Sequence, residues 1–273
     1  MSILLEKISK TICRIIINRP DQRNALNFKL VSQLRKAIND FEDGECSVAV
    51  LSGAGGNFCA GFDLNEVIDF ETGLPNIQVI ERMLWPIGTK LSDKKIVVAA
   101  VEGYAAGFGF ELALKCDFRV AERDSRLGFL NRRFGIPIMN GGTVILPELI
   151  GQARAAELVA TGKAQLAPEA REYGLLTTVA DIGCSVGQAM NLARSLAKFN
   201  QGCLIHDLNH VRLQQRDESL ILDLLKKERK DSMEYLRNCG SLELAKKFLQ
   251  GKLCRHGEMD LGNLMSPVPE VTL

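Results

Sequence analysis

The chain has 273 residues, of which 46% are hydrophobic and 25% charged, and a formal net charge of +1. Such a length allows one large domain or a domain with an extension, and the balance is ordinary for a soluble protein with a substantial core. A near-neutral chain has no global field to steer nucleic acid or an acidic membrane surface, so any site for an anionic ligand must be local.

The 8 cysteines are scattered without a CxxC pair, which predicts reduced thiols rather than a disulfide framework or a metal site. The amino-terminal MSILLEKISKTICRIIINRP runs directly into strand-like alternation and has neither a signal-peptide nor a transit-peptide layout. No run of about 18 apolar residues exists, so no membrane span is expected. The closing Val271-Thr272-Leu273 is not a peroxisomal address, and the cytoplasm is the expected compartment.

Residues 3–8 and 11–17 read as two strands, the second rich in isoleucine. Arg19-Pro20 ends the second, and a polar loop follows. From Asn27 to Phe41 the apolar residues fall at helical spacing, with Asn27 as N-cap. Val48 to Ser52 is a short buried strand leading into GAGGNFCAGFDLNE, with a helix start near Asp63 to Glu66. Residues 76–92 read as helical with a break at Trp85-Pro86.

The stretch Val97 to Phe118, VVAAVEGYAAGFGFELALKCDF, repeats the same order: β-branched strand, glycine-rich turn, apolar helix. Phe118 to Ala121 predicts another short strand, residues 127–142 an irregular segment, and Thr143 to Ile150 a helix despite Pro147. Helices over Ala153–Thr161 and Pro168–Tyr173, the latter closed by Gly174, precede a last strand at Leu176–Ala180. From about residue 185 the periodicity is helical throughout, including the charged stretch 217–238. The expected organisation is therefore an α/β core over 1–184 and a helical carboxy-terminal region over 185–273, the latter a candidate for oligomerisation and for capping the site.

Neither glycine loop matches a phosphate-binding GxxxxGK[ST], and the glycines at 103, 107 and 109 lack dinucleotide-binding spacing, so ATP and NAD are not implied. Two strand–glycine–helix turns can aim two backbone N–H groups at one oxygen, or can simply be tight turns. Glu111 stands in a segment otherwise made of Ala, Gly, Leu, Phe and Tyr. It reads equally as a desolvated acid–base group or as a helix-start carboxylate favoured by the macrodipole. His206, His210 and His256 are the only histidines; two share a helix face, but no third metal ligand is evident, and no GxSxG elbow exists.

Three ordered motifs carry a resemblance. Arg19-Pro20 with Asn24-Ala25-Leu26-Asn27, then Asn57-Phe58-Cys59-Ala60-Gly61-Phe62-Asp63-Leu64, then Gly103 through Ala113, resemble the crotonase superfamily, the enoyl-CoA hydratase/isomerase family. The likeness continues through Phe134-Gly135-Ile136-Pro137 and Gly141-Gly142-Thr143 and covers essentially the whole chain. It implies an α/β spiral core of repeated ββα units with trailing helices, a homotrimer or dimer of trimers, and an acyl-CoA thioester as substrate with no separate cofactor.

The resemblance also implies that the Phe62 and Phe108 N–H groups hold the thioester carbonyl. Family members often have glycine where Phe108 stands, so its ring needs a place, the acyl pocket being one. Glu111 matches the first of two glutamates that a hydratase uses on water. At the second position this chain has Asn131, which can hydrogen-bond water but cannot transfer a proton near neutrality. Arg23, Ala25, Leu26, Ala60, Gly61, Asp63, Leu64 and Gly107 match substrate-binding positions, with Arg23 a candidate for a CoA phosphate. Phe248 and Lys252 are further candidates against CoA, Phe248 reading equally as helix packing. The expected activity is enoyl-CoA hydratase-like with one catalytic Glu. The alternatives are an isomerase, another lyase of the family, or a non-catalytic acyl-CoA-binding protein.

Overall fold

The computed structural model describes residues 2–69, 71–213, 218–240 and 242–251. Lys252 and His256 lie outside the described residues. Among those described, a six-stranded sheet runs in the order β1 (Ser2–Lys7), β2 (Ile12–Asn18), β3 (Val48–Gly53), β4 (Ile96–Val101), β6 (Phe118–Glu122), β9 (Thr178–Ala180). Only the β1–β2 pairing is antiparallel; the rest are parallel. The short strands β5 (Tyr104–Ala106), β7 (Arg126–Gly128) and β8 (Gln165–Leu166) form a second, three-stranded sheet.

The central strands read as continuous apolar runs because both faces are covered. Period-2 alternation then divides each strand between two cores. Cys13, Ile15 and Ile17, with Ala49, Leu51, Val97, Ala99 and Val101, face one cluster with α1 (Phe28–Asp43) and α4 (Phe108–Lys115). Ile12, Val48, Val50, Ile96 and Val98 face the other, covered by Ala189, Met190 and Ala193 of α8 (Ser185–Leu196).

The ββα repeat is visible in how the chain steps from the large sheet to the small one. β4 passes into β5 and then α4, and β6 passes into β7. The segment after β3 does the same with single parallel bridges, Cys59 to Ala105 and Leu26 to Phe62. Successive turns of the spiral thus lie against one another at residues 26, 62, 59 and 105. Asn24, fully buried, ties two of these turns: its Nδ2 donates to the Ala54 and Asn57 carbonyls, and its Oδ1 accepts from the Arg19 N–H.

The remaining helices are α2 (Leu64–Val67), α3 (Ile77–Met83), α5 (Gly142–Ile150), α6 (Gln152–Thr161), α7 (Ala167–Glu172), α9 (Gln201–Leu213), α10 (Glu218–Asn238) and α11 (Glu243–Leu249). Asn27 caps α1, its side chain accepting from the Leu30 N–H at 3.0 Å. The helix expected over 76–92 stops at Met83. Pro86 disfavours helical backbone at the residue before it, and the chain does not re-enter a helix before β4. The segment 127–142 is not wholly irregular: it contains the end of β7 and a 3-10 turn over Leu130–Phe134.

α4 is pinned at its carboxy end by the buried Arg119 of β6, whose guanidinium donates to the carbonyls of Ala113, Leu114 and Cys116 and to that of Leu175. A cation at a helix carboxy terminus satisfies carbonyls that the helix itself leaves open. The position of Glu111 at the other end of α4 is thereby referred to the sheet.

Candidate active site

A cavity of about 540 Å³ opens where the loop after β2, the segment after β3, the start of α4, the 3-10 turn and α11 converge. Its wall brings together Arg23, Ala25, Ala60, Gly61, Phe62, Asp63, Leu64, Gly107, Phe108, Glu111 and Asn131, all expected from sequence. Leu26 is not on the wall. It lies fully buried beneath, donating its N–H to the Gly61 carbonyl at 2.7 Å and accepting from the Asp63 N–H at 2.8 Å. Phe248 lines the cavity and packs on Phe134 with ring centroids 5.0 Å apart. Pro137, Ile136 and Leu249 complete an apolar side that sequence reasoning did not assign to the site.

The backbones of Phe62 and Phe108 both belong to this wall. Phe108 opens α4, so its N–H has no partner within the helix. Neither it nor the Phe62 N–H donates to another protein group among the described residues. Gly61 lets them approach: a Cβ at its φ of +98° would lie 2.8 Å from the Ala106 carbonyl oxygen and 3.3 Å from the Phe108 nitrogen. The Phe108 ring does not fill the open cavity. It is 3% exposed, stacked on the Phe62 ring at 4.5 Å and set beside Trp85 at 6.4 Å.

Glu111 lies 3% exposed, its Oε1 accepting from the Asn140 N–H at 2.8 Å and the Gly142 N–H at 3.1 Å. Burial pushes its carboxyl up to about 8, aided by the nearby Glu228 charge and opposed by those two N–H groups and by Lys115. Asn131 donates its Nδ2 to the Ile136 carbonyl at 2.8 Å, while its Oδ1 is buried without a hydrogen-bond partner among the described residues. That oxygen lies 3.7 Å from where a Cβ on Gly107 would stand, so the bare glycine keeps the space in front of it open. A buried acceptor left unmade costs about 1–3 kcal/mol, which a donor brought by a ligand recovers.

Asp63 touches the cavity, but its polar atoms are engaged: Oδ1 caps the Asn65 N–H at 3.0 Å and Oδ2 receives the Arg19 guanidinium. Arg23 stands at the opening with its guanidinium 5.6 Å from the Tyr104 ring centroid. His206 and His210 are neighbours on α9, rings 4.4 Å apart, away from the cavity, and no metal-ligating cluster exists among the described residues.

A family model described as enoyl-CoA hydratase/isomerase matches residues 7–214. The 1,2-epoxyphenylacetyl-CoA isomerase of Escherichia coli is 33% identical over 230 residues, 82% of this chain and 88% of that protein. The 2,3-dehydroadipyl-CoA hydratase of the same organism is 34% identical over 73% of this chain and 78% of its own. Among solved structures, an enoyl-CoA hydratase from Mycobacterium tuberculosis superposes with a TM-score of 0.66 at 33% identity, covering 83% of this chain and 88% of its own.

The elevated Glu111 carboxyl has a measurable consequence. Between its ordinary value near 4.5 and about 8, the native state keeps a proton that the unfolded chain has lost, so stability falls as pH rises through that window. Glu111→Gln removes this dependence. In thermal unfolding from pH 4 to 9, the variant's gain over wild type is expected to grow with pH up to about 8; a gain independent of pH contradicts the assignment. The spiral fold, the motif residues gathered at one cavity and the match over residues 7–214 agree: the chain belongs to the enoyl-CoA hydratase/isomerase family.

Proposed function

We propose that this protein is an enoyl-CoA hydratase-like enzyme that adds water reversibly across the double bond of an enoyl thioester. The observation that supports this best is one desolvated carboxyl, Glu111, on the same cavity wall as two unspent backbone donors, Phe62 and Phe108. In this reading the thioester oxygen lies between the two N–H groups. Ionised Glu111 takes a proton from water as its oxygen bonds to C3. The double-bond electrons move onto the C2–C1–O unit, and the enolate oxygen is held by the two donors. The protonated Glu111 then returns its proton to C2. One donor in such a site contributes about 3 kcal/mol to the transition state, which lets a single acid–base group suffice.

In this reading Asn131 offers its unpartnered Oδ1 as an acceptor, while one of its two amide hydrogens goes to the Ile136 carbonyl. It would orient the water by accepting one of its hydrogens. Arg23 at the opening is suited to a phosphate of CoA, with Ala25, Ala60 and Leu64 against the pantetheine. The chemistry moves only protons and one electron pair within the substrate, so no further cofactor is needed. The described part of the carboxy-terminal region caps the site through α11, a reading supported by Phe248 and Leu249 on the cavity wall.

A second reading is double-bond isomerisation by deprotonation at carbon with Glu111 as the single base, and Asn131 counts against it too, because the resemblance places an isomerase's base at that position.

We place the protein in the cytoplasm, a reading supported by the free thiols of the described cysteines; a bovine relative is named as mitochondrial, and no helix among the described residues is long and apolar enough to cross a membrane. Assembly as a trimer, or a dimer of trimers, is supported by the exposed Phe199 between α8 and α9, Val211 on α9 and Leu224 on α10. Light scattering is expected to give three or six times the chain mass, and a single-chain mass contradicts it.

The reaction is tested by loss of the enoyl-thioester absorbance of crotonyl-CoA. Wild type is expected to turn over, Glu111→Gln to lose about 10³-fold, and Asn131→Glu to hydrate faster. Full activity of Glu111→Gln contradicts the mechanism. Saturable binding of enoyl, hydroxyacyl and malonyl thioesters with turnover of none supports a non-catalytic acyl-CoA-binding protein instead.

A further inference from the structure

The segment leading into α5 presents four successive backbone N–H groups, Asn140 to Thr143, and two carboxylates divide them alternately. Glu111 takes those of Asn140 and Gly142, from the cavity side. Glu228, from the middle of α10, takes those of Gly141 and Thr143, the latter at 2.8 Å, and also accepts the Thr143 hydroxyl. An anion at a helix amino terminus is favourable by itself. Two carboxyl groups gripping alternate N–H groups of one short turn fix its peptide planes, and with them the two donors that orient Glu111.

A third charge completes the arrangement. Lys115 lies one helical turn beyond Glu111 on α4 and is only 2% exposed, with its ammonium donating to the Gly88 carbonyl. A Cβ on Gly141 would lie 3.6 Å from that ammonium, so Lys115 stands against the same turn. Burying a lysine costs several kcal/mol, a cost that a purely structural cap by Glu228 does not require. Arg229, next to Glu228, donates to the Trp85 carbonyl, and Arg35 of α1 to that of Leu84. The charged groups around Glu111 are thus Lys115 on its own helix, Glu228 and Arg229 on α10, Arg35 on α1, and Asp93 beyond Lys115.

We propose that Glu228 is a positioning residue for Glu111. It holds the 140–143 turn from the far side and, balanced by Lys115, sets the field in which the Glu111 carboxyl works. The proposal rests on Glu111 being the proton-handling group. A carboxyl that must both accept and return a proton works best with its proton affinity near the ambient pH. The like charge of Glu228 raises that affinity, and the ammonium of Lys115 lowers it. Helix α10 would thereby tune the chemistry without touching substrate.

The test follows the Glu111 carboxyl itself. In infrared difference spectra, the protonated-carboxyl band absent from Glu111→Gln reports its titration without any turnover. Glu228→Gln is expected to move the midpoint down by about one pH unit and Lys115→Met to move it up, with Glu228→Asp restoring the wild-type position. If Glu228→Gln folds and the midpoint stays put, Glu228 is only a cap and the proposal is overturned. If Glu228→Gln does not fold, an unmoved midpoint in Lys115→Met overturns it equally. The acid limb of kcat/KM against pH is recorded on the same variants. Should the midpoint move and the limb not follow, it is the role of Glu111 in turnover that fails, not the coupling.

Discussion

A carboxylate buried among alanine, glycine, leucine and phenylalanine is the constraint on which much of this molecule depends. Desolvating Glu111 is unfavourable unless hydrogen-bond donors come to it, and α4 supplies none, since its own amides are turned along the helix. The donors arrive from the 140–143 turn, which in turn is held by Glu228 on α10. At its other end α4 is fixed by Arg119, a buried guanidinium on the neighbouring strand. One side chain in the cavity therefore couples the spiral core to the trailing helices. Among the described residues after 185, Glu228 reaches the turn behind Glu111, and Phe248 and Leu249 lie on the cavity wall.

The second organising feature is made of backbone alone. The Phe62 and Phe108 N–H groups belong to successive turns of the ββα spiral, and Gly61 allows those turns to approach. Because the donors are main-chain atoms, the side chains attached to them can serve another purpose. The two rings stack on each other, and that of Phe108 also stands beside Trp85, so together they form an apolar cluster. The Phe108 side chain is thus accommodated by packing and leaves the cavity open.

Much of this was legible in the sequence for identifiable reasons. Isoleucine- and valine-rich runs mark β2, β3 and β4, whose burial on both faces leaves little choice but a parallel central sheet. The three motifs bring nearly all the expected site residues to one cavity, because each motif is itself a strand–turn–helix corner of the spiral. Other features were not legible. Strands β5, β7 and β8 span only two or three residues and carry no periodicity of their own. The helix through Trp85 was read too long, Pro86 being a stronger stop than the apolar pattern around it. Asp63 has the right position but spends its oxygens on Arg19 and Asn65. Glu228 sits in a charged helix that reads as a solvated face, and Lys115 in an apolar one that gives no hint of what its ammonium meets. Only the tertiary contact connects them.

The central claim, that this cavity stabilises a thioester enolate, is tested most directly by the ultraviolet spectrum of acetoacetyl-CoA titrated with the wild-type protein at a pH where the free ligand is mostly the keto form. The account predicts that saturable binding brings up the enolate band, because two N–H donors favour the anion over the neutral carbonyl. Saturable binding with the keto spectrum unchanged would contradict it.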